Sequence, residues 1–375
     1  MANWLGGRTK NRFFYHRVEW STWDEAEEYE NATGGSIELS SVSDTKASGS
    51  LEFDGDMPNT SDLLRIYYEF TDDDGNHEVV PVATMLVSCA NPTLRGDSRY
   101  GFVTSGSATL DSVLKILKDK EYGMPFTVNA GTQAINLAVE LIESLGLRTN
   151  NPDNTYAITD DYTFPANEAN YLNIVNWLLD SAGYQACWPD ENGIVQITKN
   201  LDKPISMEFA EDDESVMLPE MPYTNDWQTT KNVCRLFYET DKESLRAWTS
   251  NVDPEHKASL PNRGWRESTL REDVSELAGD TVQDRLTALM ELSKQKLIDN
   301  SAEIDYVDIG CPYLPLSPNL AISVKYAGLD WKGDITNYSI DLGDETQCKI
   351  KARRSVRTAM KTETEGEVLW YDETE

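Results

Sequence analysis

The chain has 375 residues, with 65 Asp and Glu against 33 Lys and Arg and a net charge of -32. A surface this acidic repels phosphates and anionic headgroups at long range, which argues against sequence-specific nucleic-acid binding but allows a surface over which DNA slides without sticking. Identical copies repel one another too, so any oligomer needs specific, well-packed contacts.

Hydrophobic residues at 39% and aromatics at 10% suffice for real cores, and the length fits two or three domains. Ten Trp and seventeen Tyr favour β-rich structure, where large rings pack across strands. No apolar run approaches the roughly 20 residues that span a bilayer. Met1 to Arg17 is basic but lacks an apolar core and a cleavage site, so no secretory signal is expected and the protein is expected to be made in a cytoplasm and stay soluble. Cys89, Cys187, Cys234, Cys311 and Cys348 are odd in number and never spaced C-x-x-C. Single buried thiols are expected, not a disulfide framework or a zinc site.

Alternating patterns predict strands at Asn11–Glu19, Gly35–Val42, Ser48–Asp54 and Leu63–Phe70, with Glu25–Asn31 as a polar loop. Asp72-Asp73-Asp74-Gly75-Asn76 reads as a hairpin turn, and Val79–Val87 returns as the partner strand. This stretch is expected to be an antiparallel barrel or sandwich. The period changes after Ser105. Ser107 or Thr109 is a candidate cap for a helix carrying Leu110, Val113, Leu114 and Leu117. A second helix opens at Thr132 with the stripe Ile135, Ala138, Leu141, Ile142, Leu145 and stops at Gly146. A third spans Glu168–Ala182, stopped by Gly183, and Tyr184–Trp188 with Ile194–Thr198 forms a hairpin. Ile205–Phe209 and Lys231–Tyr238 are further strands, and Leu245–Gly264 reads as a polar loop or extended arm. A long helix covers Asp280–Asp299, with Val282, Leu286, Leu289, Met290, Ser293 and Leu297 on its apolar side. Four strands follow at Ile304–Ile309, Leu320–Tyr326, Ile335–Leu342 and Gln347–Arg354.

The predicted class is therefore α+β, mainly β: two antiparallel barrel or sandwich domains with an α+β insertion between them. The expected boundaries are 1–105 plus 200–240, 106–199 and 241–358. Residues 359–375 are expected to be an acidic tail, with Trp370 and Tyr371 as candidates for pinning it.

Chemistry leaves little trace. His16, His77 and His256 have no accompanying Ser or Cys motif and read as structural or solvated. G-x-S-x-G, G-x-x-x-x-G-K-[ST], G-x-G-x-x-G after a strand and H-E-x-x-H are all missing. Carboxylates are too abundant for a glycosidase-like pair to stand out. The cluster Asp72, Asp73, Asp74 superficially resembles a calcium loop but lacks the bidentate Glu at loop position twelve, so the turn reading is stronger. Glu211, Asp212, Asp213 and Glu214 would bind a cation, face a channel or simply lie in water, the usual place for a charge run. No catalytic residue, cofactor or metal is assigned. These seven acidic residues are kept as candidate lumen or assembly loops.

The order of elements resembles the tail-hub (baseplate hub) family of tailed bacteriophages and related contractile injection machines. The first barrel of that family is suggested by Gly49-Ser50-Leu51-Glu52-Phe53, Pro58 and Leu63-Leu64-Arg65-Ile66-Tyr67-Tyr68. Its α/β insert is suggested by Tyr171-Leu172-Asn173-Ile174-Val175, Leu178-Leu179, Gly183-Tyr184 and the hairpin at Ile194. Its closing barrel is suggested by Tyr313-Leu314-Pro315-Leu316-Ser317-Pro318-Asn319, Ile322-Ser323-Val324-Lys325-Tyr326, Tyr338-Ser339-Ile340 and Lys349-Ile350-Lys351-Ala352-Arg353-Arg354. The coverage is nearly the whole chain, through loose patterns of strand and turn.

The resemblance implies a virion tail-tip protein synthesised in the host bacterial cytoplasm, without catalysis or cofactor. Three copies would form a ring of six tube-like domains that closes the tail tube and passes DNA without binding it specifically. Implied partners are further copies of the chain, a tail-tube or distal tail protein, and tape-measure, fibre or receptor-binding proteins. Two alternatives stand beside it. One is a distal tail ring of six copies, each with one tube barrel and a carbohydrate-binding domain. The other is an acidic cell-wall hydrolase.

Overall fold

The computed structural model describes residues 3–60, 62–97, 101–199, 201, 203–210, 220–225, 230–275, 277–343, 347–356 and 360–371. The chain forms two units, Met1–Met221 with Ile309–Lys351, and Pro222–Asp308 with Ala352–Glu375. The fold is mainly β with few helices.

The first unit opens with β1 (Arg8–Val18), β2 (Glu25–Glu28), β3 (Ala32–Ser40), β4 (Ala47–Asp54), β5 (Leu63–Asp72), β6 (His77–Asp97) and β7 (Gly101–Ser112). Their spatial order is β3-β4-β7-β6-β5-β1-β2. Each neighbouring pair is antiparallel. Alternation drives it: Leu64, Ile66, Tyr68 and Phe70 of β5 and Leu51 and Phe53 of β4 are buried. Two expectations need correcting. Glu25–Glu28 is a strand paired with β1, not a loop; its Glu-Ala-Glu-Glu sequence carries no apolar alternation because it is a solvated edge. Ser107 and Thr109 are not helix caps but outward residues of β7, whose Ala108 and Leu110 are buried between β4 and β6.

The insertion contains α1 (Leu114–Asp119), β8 (Phe126–Val128), α2 (Ala134–Glu143), β9 (Tyr162–Phe164), α3 (Tyr171–Ser181), β10 (Trp188–Pro189) and β11 (Val195–Gln196). Its core joins the inner faces of the three helices, among them Leu117, Ile135, Ala138, Ile142, Ile174 and Leu178, with Cys187 and Val195 from the hairpin region. Asn170 caps α3 by accepting from the Asn173 amide at 2.9 Å. At its other end Gly183 takes φ 77°, and the amides of Gly183 and Tyr184 bond the carbonyls of Asp180 and Leu179. That double closure is a Schellman motif, and a left-handed residue without Cβ is what it requires.

After β12 (Ile205–Ala210) the chain builds the second unit from β13 (Tyr223–Asn225), β14 (Val233–Glu239), β15 (Glu243–Asn251), β16 (Thr269–Val274), α4 (Val282–Asn300) and β17 (Glu303–Cys311). From Ile309, within β17, it returns to the first unit for β18 (Ala321–Tyr326), β19 (Leu329–Asp341) and the start of β20 (Cys348–Val356), whose residues from Ala352 on belong to the second unit together with β21 (Thr362–Tyr371).

In the first unit, β19 pairs antiparallel with β18 through Leu329–Asp334 and with β3 through Asn337–Asp341. Strands expected in a separate second β-domain thus hydrogen-bond to the opening strands. β12 lies parallel to β18, an exception to the antiparallel expectation. The strand paths are open; among the described residues no sheet closes into a barrel.

In the second unit the sheet order is β16-β14-β15-β21. α4 packs Leu286, Leu289 and Leu297 on Cys234, Leu236, Leu245 and Ala247. The helix start is written in a capping box between Thr281 and Asp284. Glu243–Asn251, expected within a loop, is a central strand. Its buried face includes Thr249 and Asn251, and Thr249 is satisfied by Ser293 and Thr364 hydroxyls at 3.0 Å each. Residues 362–371, expected as a tail, pair with the whole of β15. A Cβ on Gly366 would come within 2.8 Å of Met290, so α4 lies close against this strand.

Four cysteines are buried as expected, while Cys89 is exposed. Burial raises the thiol pKa values of Cys187 and Cys348 to about 12.

Candidate functional site

The acidic turn at Asp72 joins β5 to β6. The Asp72 carboxylate accepts from the Asn76 amide at 2.7 Å, the Asn76 side-chain amide at 2.9 Å and the Asn3 amide at 2.9 Å. These bonds, the Asn76 side chain first, hold its pKa down to about 2. The first residue of a would-be calcium loop is thereby spent on the turn, while Asp73 and Asp74 are exposed. Because the folded pKa is depressed, the stability that Asp72 contributes is full above about pH 4 and is lost as pH falls through about 2. An NMR titration of side-chain carboxyls is expected to place Asp72 near that lower value; a midpoint at the ordinary Asp value would contradict the assignment. Glu211, Asp212, Asp213 and Glu214 lie outside the described residues.

The three histidines are held structurally. His16 Nδ1 lies 3.3 Å from the Ala26 carbonyl and its ring meets Phe14 and Tyr67 edge-on. His77 pairs with Glu69 at 2.7 Å. His256 is buried and accepts from the Ala258 amide at 3.2 Å.

The buried carboxylates are committed. Glu243 takes a bidentate bond from Arg285 at 2.5 and 2.8 Å. Asp305 pairs with Arg354 and Asn225. Asp253 accepts the amides of Glu255 and Lys361 at 3.0 Å. A glycosidase-type acid needs a raised pKa. The carboxylates with displaced values among the described residues, Glu25, Glu69, Asp72, Glu208 and Asp253, all move down. Also among the described residues, no group of three or more His, Cys, Asp or Glu is arranged to hold a metal.

What the molecule does present is open backbone. β5 pairs with β6 from His77 to Leu86, and β6 then runs on from Cys89 to Asp97 paired, among the described residues, with β7 alone. β4 leaves β7 at Ser105, so the far end is a two-stranded ribbon, and Leu94 on it is 72% exposed. Such a ribbon is marginal in water by itself and offers unpaired N–H and C=O groups to a neighbour. Among the described residues the outer edges of β2, β12, β16 and β21 are likewise unpaired.

Beside β6 lies a cavity of about 440 Å³, floored by Val80–Met85 and roofed by Tyr313 and Pro315–Leu320, with Glu191 on its wall. Aromatic packing fixes the roof. Tyr313 meets Tyr68 at 4.6 Å and Tyr338 at 6.2 Å between ring centroids. The Tyr338 hydroxyl donates to the Leu314 carbonyl at 2.9 Å and accepts from its amide at 2.8 Å. The wall is fixed by Arg65, which donates to Thr84 Oγ1 at 3.0 Å and the Asn192 carbonyl at 3.1 Å and pairs with Glu25 at 2.6 Å. Gly193 closes that hairpin tip at φ 78°, where a Cβ would sit 2.9 Å from Trp23 and 3.1 Å from Thr84. None of these contacts has a sequence motif. Only the aromatic density hinted at them.

No protein-family model matches the chain, and a search of curated proteins finds no match. Solved structures do match. A tail protein from Neisseria meningitidis MC58 aligns with a TM-score of 0.60 and 14% identity, covering 92% of this chain and 97% of that one. The 43 kDa tail protein of prophage MuSo2 from Shewanella oneidensis aligns with a TM-score of 0.61 and 13% identity, over 92% and 98%. A chain of the PdpA–VgrG complex aligns with a TM-score of 0.52 and 7% identity, over 93% of this chain and 65% of its own. Over 92% of its length, this chain has the fold of these tail proteins.

Proposed function

We propose that the chain is a structural component of a phage tail tip or baseplate, three copies forming a hub ring that closes the tail tube and lets DNA through. The observation that carries this is the match to two tail proteins over 92% of this chain and at least 97% of each of theirs. Open strand edges and the β6–β7 ribbon support a role in assembly, because they need neighbouring backbone. The net charge of -32 supports a passage that repels phosphate. Asp73, Asp74 and the run Glu211–Glu214 are the proposed acidic loops of that passage or its rim. In this reading the protein is made in the bacterial cytoplasm, joins the virion tail, contacts tube and fibre proteins, and catalyses nothing.

Mass photometry of the purified chain, alone and with its tube protein, tests this. Particles of three times the single-chain mass are expected. A chain that stays monomeric at every concentration and neither joins nor caps a tube would contradict the proposal.

A further inference from the structure

Trp265 is 70% exposed, and it is held out by backbone that disfavours it: Gly264 and Trp265 take φ 61° and 64° in succession. A bulky residue in left-handed backbone is a genuine outlier, and such strain clusters at binding sites. The surrounding loop is firmly tied. Asn232 donates to the carbonyls of Ala258 and Arg266 at 3.0 Å and accepts from the Ser268 amide at 2.7 Å. Arg263 donates to the Thr230 carbonyl at 2.9 Å, and Asn262 to those of Pro254 and His256 at 2.7 and 2.9 Å. An indole on so rigid a mount loses little entropy on docking.

Charge narrows the partner. From His256 to Arg266 the loop has no Asp or Glu, in a chain of net charge -32; Arg263 is buried against the Thr230 carbonyl and Lys257 lies 3.7 Å from Glu303, which leaves Arg266 as its exposed charge beside the indole. Trp265 with Arg266 beside it suits an acidic protein. Another copy of this chain is one, and it carries an apolar cavity. The cavity of about 440 Å³ beside β6 is half-open, walled by apolar groups such as Val82, Met85, Pro315 and Leu316, and large enough for an indole. The Glu191 side chain on that wall is exposed; Lys46, Lys203 and Asp190 also line the cavity.

We infer that the Trp265 loop of one copy docks into this cavity of the next, the indole entering the apolar pocket and Arg266 pairing with the neighbouring copy's Glu191. Such a contact is head-to-tail, the kind that generates a closed ring when the rotation per step divides a full turn. Buried Trp and Arg anchors of this kind dominate interface energies. The inference rests on the assembly reading only in requiring a second copy.

The test uses the full chain and sedimentation velocity over a concentration series. Trp265→Ala, Arg266→Glu and Glu191→Arg are each expected to raise the dissociation constant roughly tenfold or more. The unfolding midpoints of Trp265→Ala and Glu191→Arg should be unchanged, since both side chains are exposed, and Arg266→Glu should lower the midpoint only slightly through loss of the 3.0 Å bond from Arg266 Nε to the Arg263 carbonyl. The doubly reversed chain, R266E with E191R, is expected to recover association. Assembly by Trp265→Ala equal to the parent, or no recovery in the reversed pair, overturns the docking while leaving the assembly reading intact. A parent chain that never associates overturns both.

Discussion

Tyr338→Phe is expected to destabilise the roof of the cavity by about 2–4 kcal/mol, although it removes a single oxygen. That hydroxyl serves both backbone groups of Leu314, donating to its carbonyl and accepting from its amide. Leu314 and Tyr338 are both fully buried, so no water replaces the lost partner. Each orphaned group costs about 1–3 kcal/mol, whereas the phenyl ring itself stays packed against Tyr313. Hydrogen exchange read by mass spectrometry on peptides spanning 311–320 is the direct check. Exchange should accelerate by about 30- to 1,000-fold in the variant, the range those energies imply. Unchanged exchange there would mean that the segment is held by something else.

The second large effect belongs to Arg65. Its guanidinium reaches Thr84, Glu25 and the Asn192 carbonyl in three directions, joining β5 and β6 to the tip of the insertion hairpin. Arg65→Ala leaves Glu25 with Tyr67 and removes the charge-assisted bonds, a loss of about 2–4 kcal/mol given that Glu25 is partly solvated. Arg65→Lys should rescue little, because one ammonium cannot satisfy three divergent acceptors as a planar fork does. Burial pushes the Glu25 pKa up, but bonds from Tyr67 and Arg65 outweigh it and leave a net depression. In Arg65→Ala that pKa should rise, so the destabilisation is largest at neutral pH and shrinks on acidification through the carboxylate range. Urea unfolding at pH 7 and pH 4 measures both. A variant as stable as the parent at both pH values would remove Arg65 from the account.

What could be read in advance, and what could not, follows from where the signals lie. α4 was legible because its cap, its apolar stripe and its length are all local to Thr281–Asn300. α3 was legible for the same reason, with Asn170 and Gly183 as punctuation. β15 was hidden because part of its inward face is Thr249 and Asn251, so hydrophobic alternation fades just where hydrogen bonding takes over. β21 was hidden by charge: Glu363, Glu365 and Glu367 point outward from a strand whose other face is Thr364, Gly366 and Val368. The pairing of Leu39 with Tyr338 joins residues almost 300 positions apart, and no local pattern names a strand's partner. Of the candidate site, the Asp72 turn was visible through its Asp-Gly spelling. The pocket beside β6 and the presentation of Trp265 depend on backbone torsion and long-range packing, which no motif records.

Electron microscopy of tail particles containing this chain is the most direct measurement of the central claim. A threefold ring at the tail tip, in register with the tube and with acidic groups bordering the channel, is the predicted result. A sixfold ring, density away from the tube axis, or a channel edged by Lys and Arg would contradict it.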